Sequence, residues 1–237
     1  MPVLPNDKEK HVHGVFTAIA HRYDLMNTVL SLNLDKYWRR YAAARTGLGP
    51  GGRAIDVCCG TGMLTMELAK LVGPTGKVVG VDFCRPMLDR AAENVAGTRY
   101  QPCIELAEAN ALSLPYADDS FDSATIGFAL RNVPDIKATL TEMRRVVRPG
   151  GSVVSLDLAK PETPGFKQLY YLYFERILPM VGKLSIGADG PYRWLPESLR
   201  QFPHQTDIRG LFESVGLRQA VYQELTGGIV AVHVGIK

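Results

Sequence analysis

Cysteine is scarce in this sequence: Cys58, Cys59, Cys84 and Cys103 are the only four among 237 residues. No C-x-x-C occurs, and a zinc site needs better-spaced ligands, so the four read as free, buried thiols of a reducing compartment. Charge of one sign is scarce too. Lys plus Arg number 27 against 24 Asp plus Glu, a net +3, which argues against the basic stripe of a nucleic-acid binder. The basic pairs Arg39-Arg40 and Arg144-Arg145 read as solvated helix faces. No apolar run approaches the ~18 residues of a membrane span. The start, MPVLPNDKEKH, is polar, and no signal sequence is expected from it. Repeats and low-complexity segments are missing as well. What remains is 46% hydrophobic and 22% charged, the balance of a globular chain long enough for one α/β domain.

What is present centres on Arg53–Leu64, RAIDVCCGTGML. Ala54–Val57 reads as a buried strand, Gly60-Thr61-Gly62 as a turn, and Met63–Val72 as a helix. Strand, glycine turn and helix open a nucleotide-binding βαβ unit, with bare backbone where a ligand can lie. The third glycine of a dinucleotide fingerprint is replaced by Thr65, which disfavours an NAD dehydrogenase. The pattern D-x-C-C-G-T-G instead resembles the first motif of S-adenosylmethionine-dependent methyltransferases. A second strand, GKVVGV, ends in Asp82, placed to accept both ribose hydroxyls of an adenosine.

The rest of the chain follows in order. Residues 1–12 read as a loose polar lead-in. Two or three helices precede a breaker at GLGPGG, residues 47–52. Strands are then expected at about 53–58, 77–82, 103–109, 121–128 and 152–158, with helices at 62–72, 85–95 and 135–148 between them. This alternation implies a parallel, doubly wound sheet whose ligands sit beyond the strands' carboxyl ends. Gly60, Asp82, Asn110 and Gly127 all fall at or near such ends. Residues 165–186 have helical spacing up to Pro179, and 189–206 are rich in proline and aromatics. A helix at 207–215 and strands at 217–225 and 229–236 close the chain, with Gly227-Gly228 as a hairpin turn that makes the last strand antiparallel.

Five segments then carry a family resemblance: YDLMN at 23–27 with Ser31 and Trp38, DVCCGTG at 56–62, GFALRNVPD at 127–135, RRVVRPGG at 144–151 and LTGGIVAVHVGIK at 225–237. Together they resemble the quinone-biosynthesis C-methyltransferases, the UbiE/MenG family. The resemblance implies a Rossmann-like class I fold: an α/β domain with a seven-stranded, mostly parallel sheet and an antiparallel last strand. It divides into an N-terminal helical cap (1–50), a donor-binding core (51–160), a helical substrate-side insertion (161–206) and a C-terminal helix and hairpin (207–237). It implies S-adenosyl-L-methionine as methyl donor, without a metal, and a polyprenylated hydroquinone as acceptor. Donor contacts carried over by position are Asp56, Gly60, Thr61, Gly62, Asp82, Phe83, Asn110, Ala111 and Gly127. Gly127, where ubiquinone-side members often have Ser, points to demethylmenaquinol; a polyprenyl benzoquinol is the alternative.

The sequence departs from the family pattern at Asp35 (His), Arg148 (Lys), Asp157 (Glu) and Ala159 (Ser). Asp for His at 35 removes a proton acceptor that titrates near neutral pH. The groups expected to position or polarise the acceptor are Tyr23, Arg131 and Asn132; arginine stays protonated and would stabilise a phenolate rather than take its proton. Asp24 reads as a helix cap or a partner of Arg22. The stripe Phe166, Leu169, Tyr170, Tyr173, Phe174, Ile177 and Met180 reads either as core or as a grip on the isoprenoid tail. A cytoplasmic protein touching the inner face of the membrane peripherally is expected, with a homo-oligomer left open. Rival readings are another small-molecule methyltransferase and a non-catalytic nucleotide-binding scaffold.

Overall fold

The computed structural model describes residues 7–172 and 190–237. Three helices come first: α1 (Asp7–Ile19), α2 (Tyr23–Leu30) and α3 (Asp35–Ala44), with a 3-10 turn at Ala20–Arg22 between the first two. The lead-in expected through residue 12 is therefore a misreading, since α1 already starts at Asp7 and Val12 is buried. Val12, Phe16 and Ile19 are spaced as one helical stripe, and the charged residues before Val12 conceal the helix that carries it.

The alternation then runs β1 (Arg53–Val57), α4 (Met63–Val72), β2 (Lys77–Asp82), α5 (Arg85–Val95), β3 (Ile104–Glu108), β4 (Phe121–Gly127), α6 (Ile136–Val146) and β5 (Val147–Leu158). Strand β5 starts earlier than expected. Val147 pairs with Phe121 before a register shift, so Pro149-Gly150-Gly151 forms an irregularity inside the strand. After β5 come α7 (Phe166–Leu172), α8 (Gly190–Gln201), α9 (Gln205–Ser214), β6 (Arg218–Leu225) and β7 (Val230–Ile236). Pro196 sits inside α8 without ending it. The capping box of His204 and Asp207 starts α9 sharply.

Among the described residues the strands form one seven-stranded sheet in the order β3-β2-β1-β4-β5-β7-β6. The first five strands are parallel, and β7 runs antiparallel to both its neighbours. The expected topology therefore holds, down to the turn at Thr226–Gly228. Ile55, Val57 and Ile126 pack against Leu140, Met143 and Phe212, while Leu64, Leu68 and Val72 cover Ala54 and Val78. A fully buried side chain of this kind contributes ~1.5–3 kcal/mol. Strand order reverses at β1, flanked by β2 and β4, and this opens the crevice at the strands' carboxyl ends.

Of the apolar stripe, Phe166 and Tyr170 lie on α7, and Tyr170 packs with Met26 and Leu199. The side chain of Leu169, and Tyr173, Phe174, Ile177 and Met180, lie outside the described residues. Among those described, no helix is long and apolar enough to cross a membrane.

Candidate active site

At the end of β1 the chain turns through Cys58, Gly60 and Gly62, all left-handed at φ 55°, 55° and 78°. The glycines make that turn cheap, and it aims backbone N–H groups at the end of β2. Gly60 N donates to Asp82 Oδ2 at 2.8 Å, and Cys84 N donates to Oδ1 at 2.9 Å. The carboxylate is thus gripped by two loops through backbone N–H groups of Gly60, Phe83 and Cys84. Burial raises its pKa above the ordinary value, and the backbone donors pull the other way. Asp82, Phe83, Asn110, Ala111, Gly60 and Gly127 face one cavity of about 880 Å³, open to solvent. Helix α1 roofs it with Glu9, Val12 and Phe16. Gly127 is tightly placed: a Cβ there would stand 2.9 Å from Leu64 Cδ2.

Asp56 and Thr61 line this cavity, but their polar atoms are already engaged. Asp56 accepts from Thr65 Oγ1 and Thr125 Oγ1, both at 2.7 Å. Burial lifts its pKa to about 6, against the pull of those hydroxyls. It therefore braces β1 against α4 and β4 from beneath the loop. Thr61 Oγ1 donates to Asp24 Oδ1 at 2.5 Å, and Asn94 Nδ2 donates to Asp24 Oδ2 at 2.9 Å. Asp24 is not a cap; these bonds tie α2 to the glycine loop. Burial also raises the thiols of Cys58 and Cys59 well above their usual range, with Asp82 and Asp56 adding to it.

A second, larger cavity of about 1350 Å³ adjoins the first. Its walls are mostly apolar, with Leu30, Leu34, Trp38, Leu158, Tyr170 and Ile229 among them. Tyr23, Arg39 and Phe128 face both cavities and so form the partition between them. Phe128 has a left-handed backbone, φ 57°, which costs a bulky residue roughly 1–3 kcal/mol. Its surroundings hold it there. Its N–H donates to Leu156 O at 2.7 Å, and its carbonyl accepts from Arg131 Nη1 at 2.6 Å. Arg131 Nη1 also donates to Asp157 Oδ1 at 2.5 Å, and Leu158 N donates to the same oxygen at 2.8 Å. Asn132 Oδ1 accepts from Trp194 Nε1 at 2.9 Å.

The structure thus brings the expected residues to one edge and divides them, except that Gly62 lines neither cavity and is packed toward Ala91. Tyr23 lies on the partition, Arg131 faces the larger cavity, and Asn132 the smaller. Three residues escaped the sequence reading. Asp24 lay in a noticed motif but was given a local role. Asn94 carries no mark in the sequence. Arg39 was read with Arg40 as a solvated face, yet it is 6% exposed while Arg40 is exposed.

The model of the ubiE/COQ5 methyltransferase family matches residues 5–237. The chain belongs to that family. A demethylmenaquinone methyltransferase of Desulfitobacterium hafniense (strain Y51) is 48% identical over 231 residues, 98% of this chain and 91% of the relative. The demethylmenaquinone methyltransferase of Bacillus subtilis (strain 168) is 45% identical over 234 residues, 99% and 100% of the two chains. Among solved structures, a putative S-adenosyl-L-methionine-dependent methyltransferase of Methanococcus maripaludis superposes with a TM-score of 0.66 at 16% identity, covering 100% of this chain and 97% of that one. At that identity the likeness speaks for the fold.

Proposed function

We propose that the protein methylates a ring carbon of demethylmenaquinol, using S-adenosylmethionine, in menaquinone biosynthesis. The observation that carries this is the pair of adjoining cavities, one with a buried carboxylate and bare backbone, the other larger and apolar, sharing a three-residue partition. The names of the close relatives agree with it. The donor fits the smaller cavity: Asp82 lines it with a carboxylate that can accept from ribose hydroxyls, and even a Cβ at Gly60 would come within 3.3 Å of Met87 Cε. When bound there, the donor supplies a methyl group made electrophilic by its sulfonium sulfur.

The protein's own residues have to position the ring and help its hydroxyl release a proton. The ring carbon is a poor nucleophile until the neighbouring oxygen carries negative charge. The hydroxyl proton leaves to solvent, and the ring carbon then bonds to the methyl carbon as the carbon–sulfur bond breaks. The proton on that carbon is lost as the oxygen regains one, so one proton is released overall. Tyr23 and Phe128 set the ring's approach through the partition. Arg131 and Asn132 act on the same point, since both donate to the Phe128 carbonyl that holds the wall in place. Orientation of this kind accounts for much of the rate when the reacting atoms lie ~3–3.5 Å apart.

The acceptor is a lipid, and the rim of the larger cavity suits contact with a membrane surface. Leu25, Val29 and Leu32 are 64%, 49% and 83% exposed, and Leu32 also lines that cavity. Purified protein, donor and reduced short-chain demethylmenaquinone should yield the methylated quinol by mass spectrometry. Methylation of a benzoquinol analogue in preference to the naphthoquinol would overturn the assignment of acceptor.

A further inference from the structure

We propose that Arg39, held by Asp35, stabilises the ionised hydroxyl of the acceptor ring where the two cavities meet. The inference rests on the acceptor assignment above and adds a group to its chemistry. Arg39 stands on the inner face of α3, is 6% exposed and lines both cavities. Its Nη1 donates to the Asp35 carboxylate four residues back, the one hydrogen bond recorded for the guanidinium among the described residues. Its Cζ lies 5.2 Å from the centre of the Phe128 ring, a cation–π contact that holds the charge against the partition. A guanidinium has five N–H donors, so most of its capacity is left for a ligand.

The neighbourhood tells what kind of ligand. Asp35 is held in turn by Ser31, whose Oγ donates to Asp35 Oδ1 at 3.0 Å and accepts from Asp35 N at 3.2 Å. Ser31 ends α2 and Asp35 begins α3, so the corner between the two helices secures the ion pair. A second donor faces the same cavity: Asn27 Nδ2 is buried and has no partner among the described residues. Two donors with spare capacity in a mostly apolar chamber suit an oxygen that is neutral on entry and anionic at reaction. A buried cation is costly unless paired, and Asp35 pairs it until the ring arrives. Arg131 reaches the same chamber, but its Nη1 is already shared between Asp157 and the Phe128 carbonyl. A preorganised cation at a developing oxyanion is the arrangement that lowers such a barrier.

The test is the titration of a bound phenol. A naphthol is bound to the protein saturated with S-adenosylhomocysteine, and its ionisation is followed by absorbance. The titratable or charged groups around the site are Asp35 on α3, Glu9 on α1, Tyr23 on α2, Asp56 on β1, Cys58 and Cys59 after it, Asp82 on β2, and Arg131 after β4 with its partner Asp157 on β5. In the native protein the naphthol midpoint should lie at least one unit below its value in water, a tenfold shift toward the anion. Arg39→Met should return it to the value in water and lower kcat at neutral pH at least tenfold, with Kd for the donor unchanged within threefold. Arg39→Lys should keep part of the shift. Asp35→Asn, which leaves the cation unneutralised, should lower the midpoint further, an outcome opposite to that of a lost structural contact. Equal midpoints in the native protein and the folded variants would overturn the proposal while leaving the acceptor chamber standing. Naphthol that does not bind at all would overturn the chamber, and the proposal with it.

Discussion

Replacing Asp56 with asparagine should change how stability depends on pH, and by an amount the structure sets. Asp56 is 1% exposed and its pKa lies near 6 instead of 3.8, with desolvation as the largest cause. A carboxyl that holds its proton more tightly folded than unfolded favours the native state below the lower value. That contribution is lost as pH rises through the higher one. Two pH units at ~1.4 kcal/mol each give about 3 kcal/mol. The unfolding free energy of Asp56→Asn, less that of the native protein, should therefore climb by about 2.5 kcal/mol between pH 4 and 7, the remainder falling below pH 4. Any cost of rearranging the Thr65 and Thr125 hydroxyls around the amide is a constant offset, because neither hydroxyl titrates in that range. His233 works in the opposite direction. Burial lowers its pKa to about 4, and its Nε2 donates to Gln205 O at 2.9 Å. Its contribution is lost as pH falls from about 6.5 to 4, over much the same window. The two slopes largely cancel in the native protein, and the variant unmasks the histidine. Urea unfolding of ligand-free protein, followed by circular dichroism at half-unit steps, measures the difference directly. Parallel curves with a constant gap would refute the reasoning.

Three further outcomes are expected. Asp82→Ala removes the carboxylate proposed to accept from two ribose hydroxyls and should weaken donor binding at least 100-fold by calorimetry, at ~1.5–3 kcal/mol per bond; unchanged affinity would move the ribose elsewhere. Asp24→Ala leaves Thr61 Oγ1 without its acceptor and takes one of two from Asn94, and should weaken the donor about tenfold while raising KM for the acceptor, whereas a purely local role would alter neither. Leu32 is 83% exposed with φ 51°, so Leu32→Asn, which suits a left-handed backbone, should keep or raise the melting temperature yet reduce flotation with anionic liposomes; equal flotation would remove the membrane contact.

Much of the fold was legible because parallel strands buried on both faces read as short apolar runs with glycine turns between them. Val78–Val81 and Ala54–Val57 are of that kind. The position of Asp82 followed from the length of one βαβ unit. Helices were harder where their pattern was masked. The charged first turns of α1 hid its stripe, and the prolines of residues 189–206, Pro196 among them, gave α8 no helical pattern to read. The turn beside the smaller cavity was legible where backbone geometry demands glycine, at residues 60 and 62. It was illegible where function depends on which face of a helix turns inward. Arg39 and Arg40 are neighbours of identical type, and only the docking of α3 onto the sheet through Trp38 and Ala42 separates the buried one from the solvated one. The Asp24–Asn94 bond joins residues 70 apart in the chain, a pairing that no local pattern records.

Tyr23 and Asp24 are consecutive, and that adjacency has a kinetic consequence. In the placement of donor and quinol proposed above, one stands between the two ligands and the other is moored to the loop that would receive the donor. Ordering the loop therefore orders the doorway for the quinol. By thermodynamic reciprocity, whatever factor the first ligand adds to the affinity of the second, the second returns to the first. Substrate synergy in initial-rate plots would be the visible sign of a single peptide bond linking two appetites.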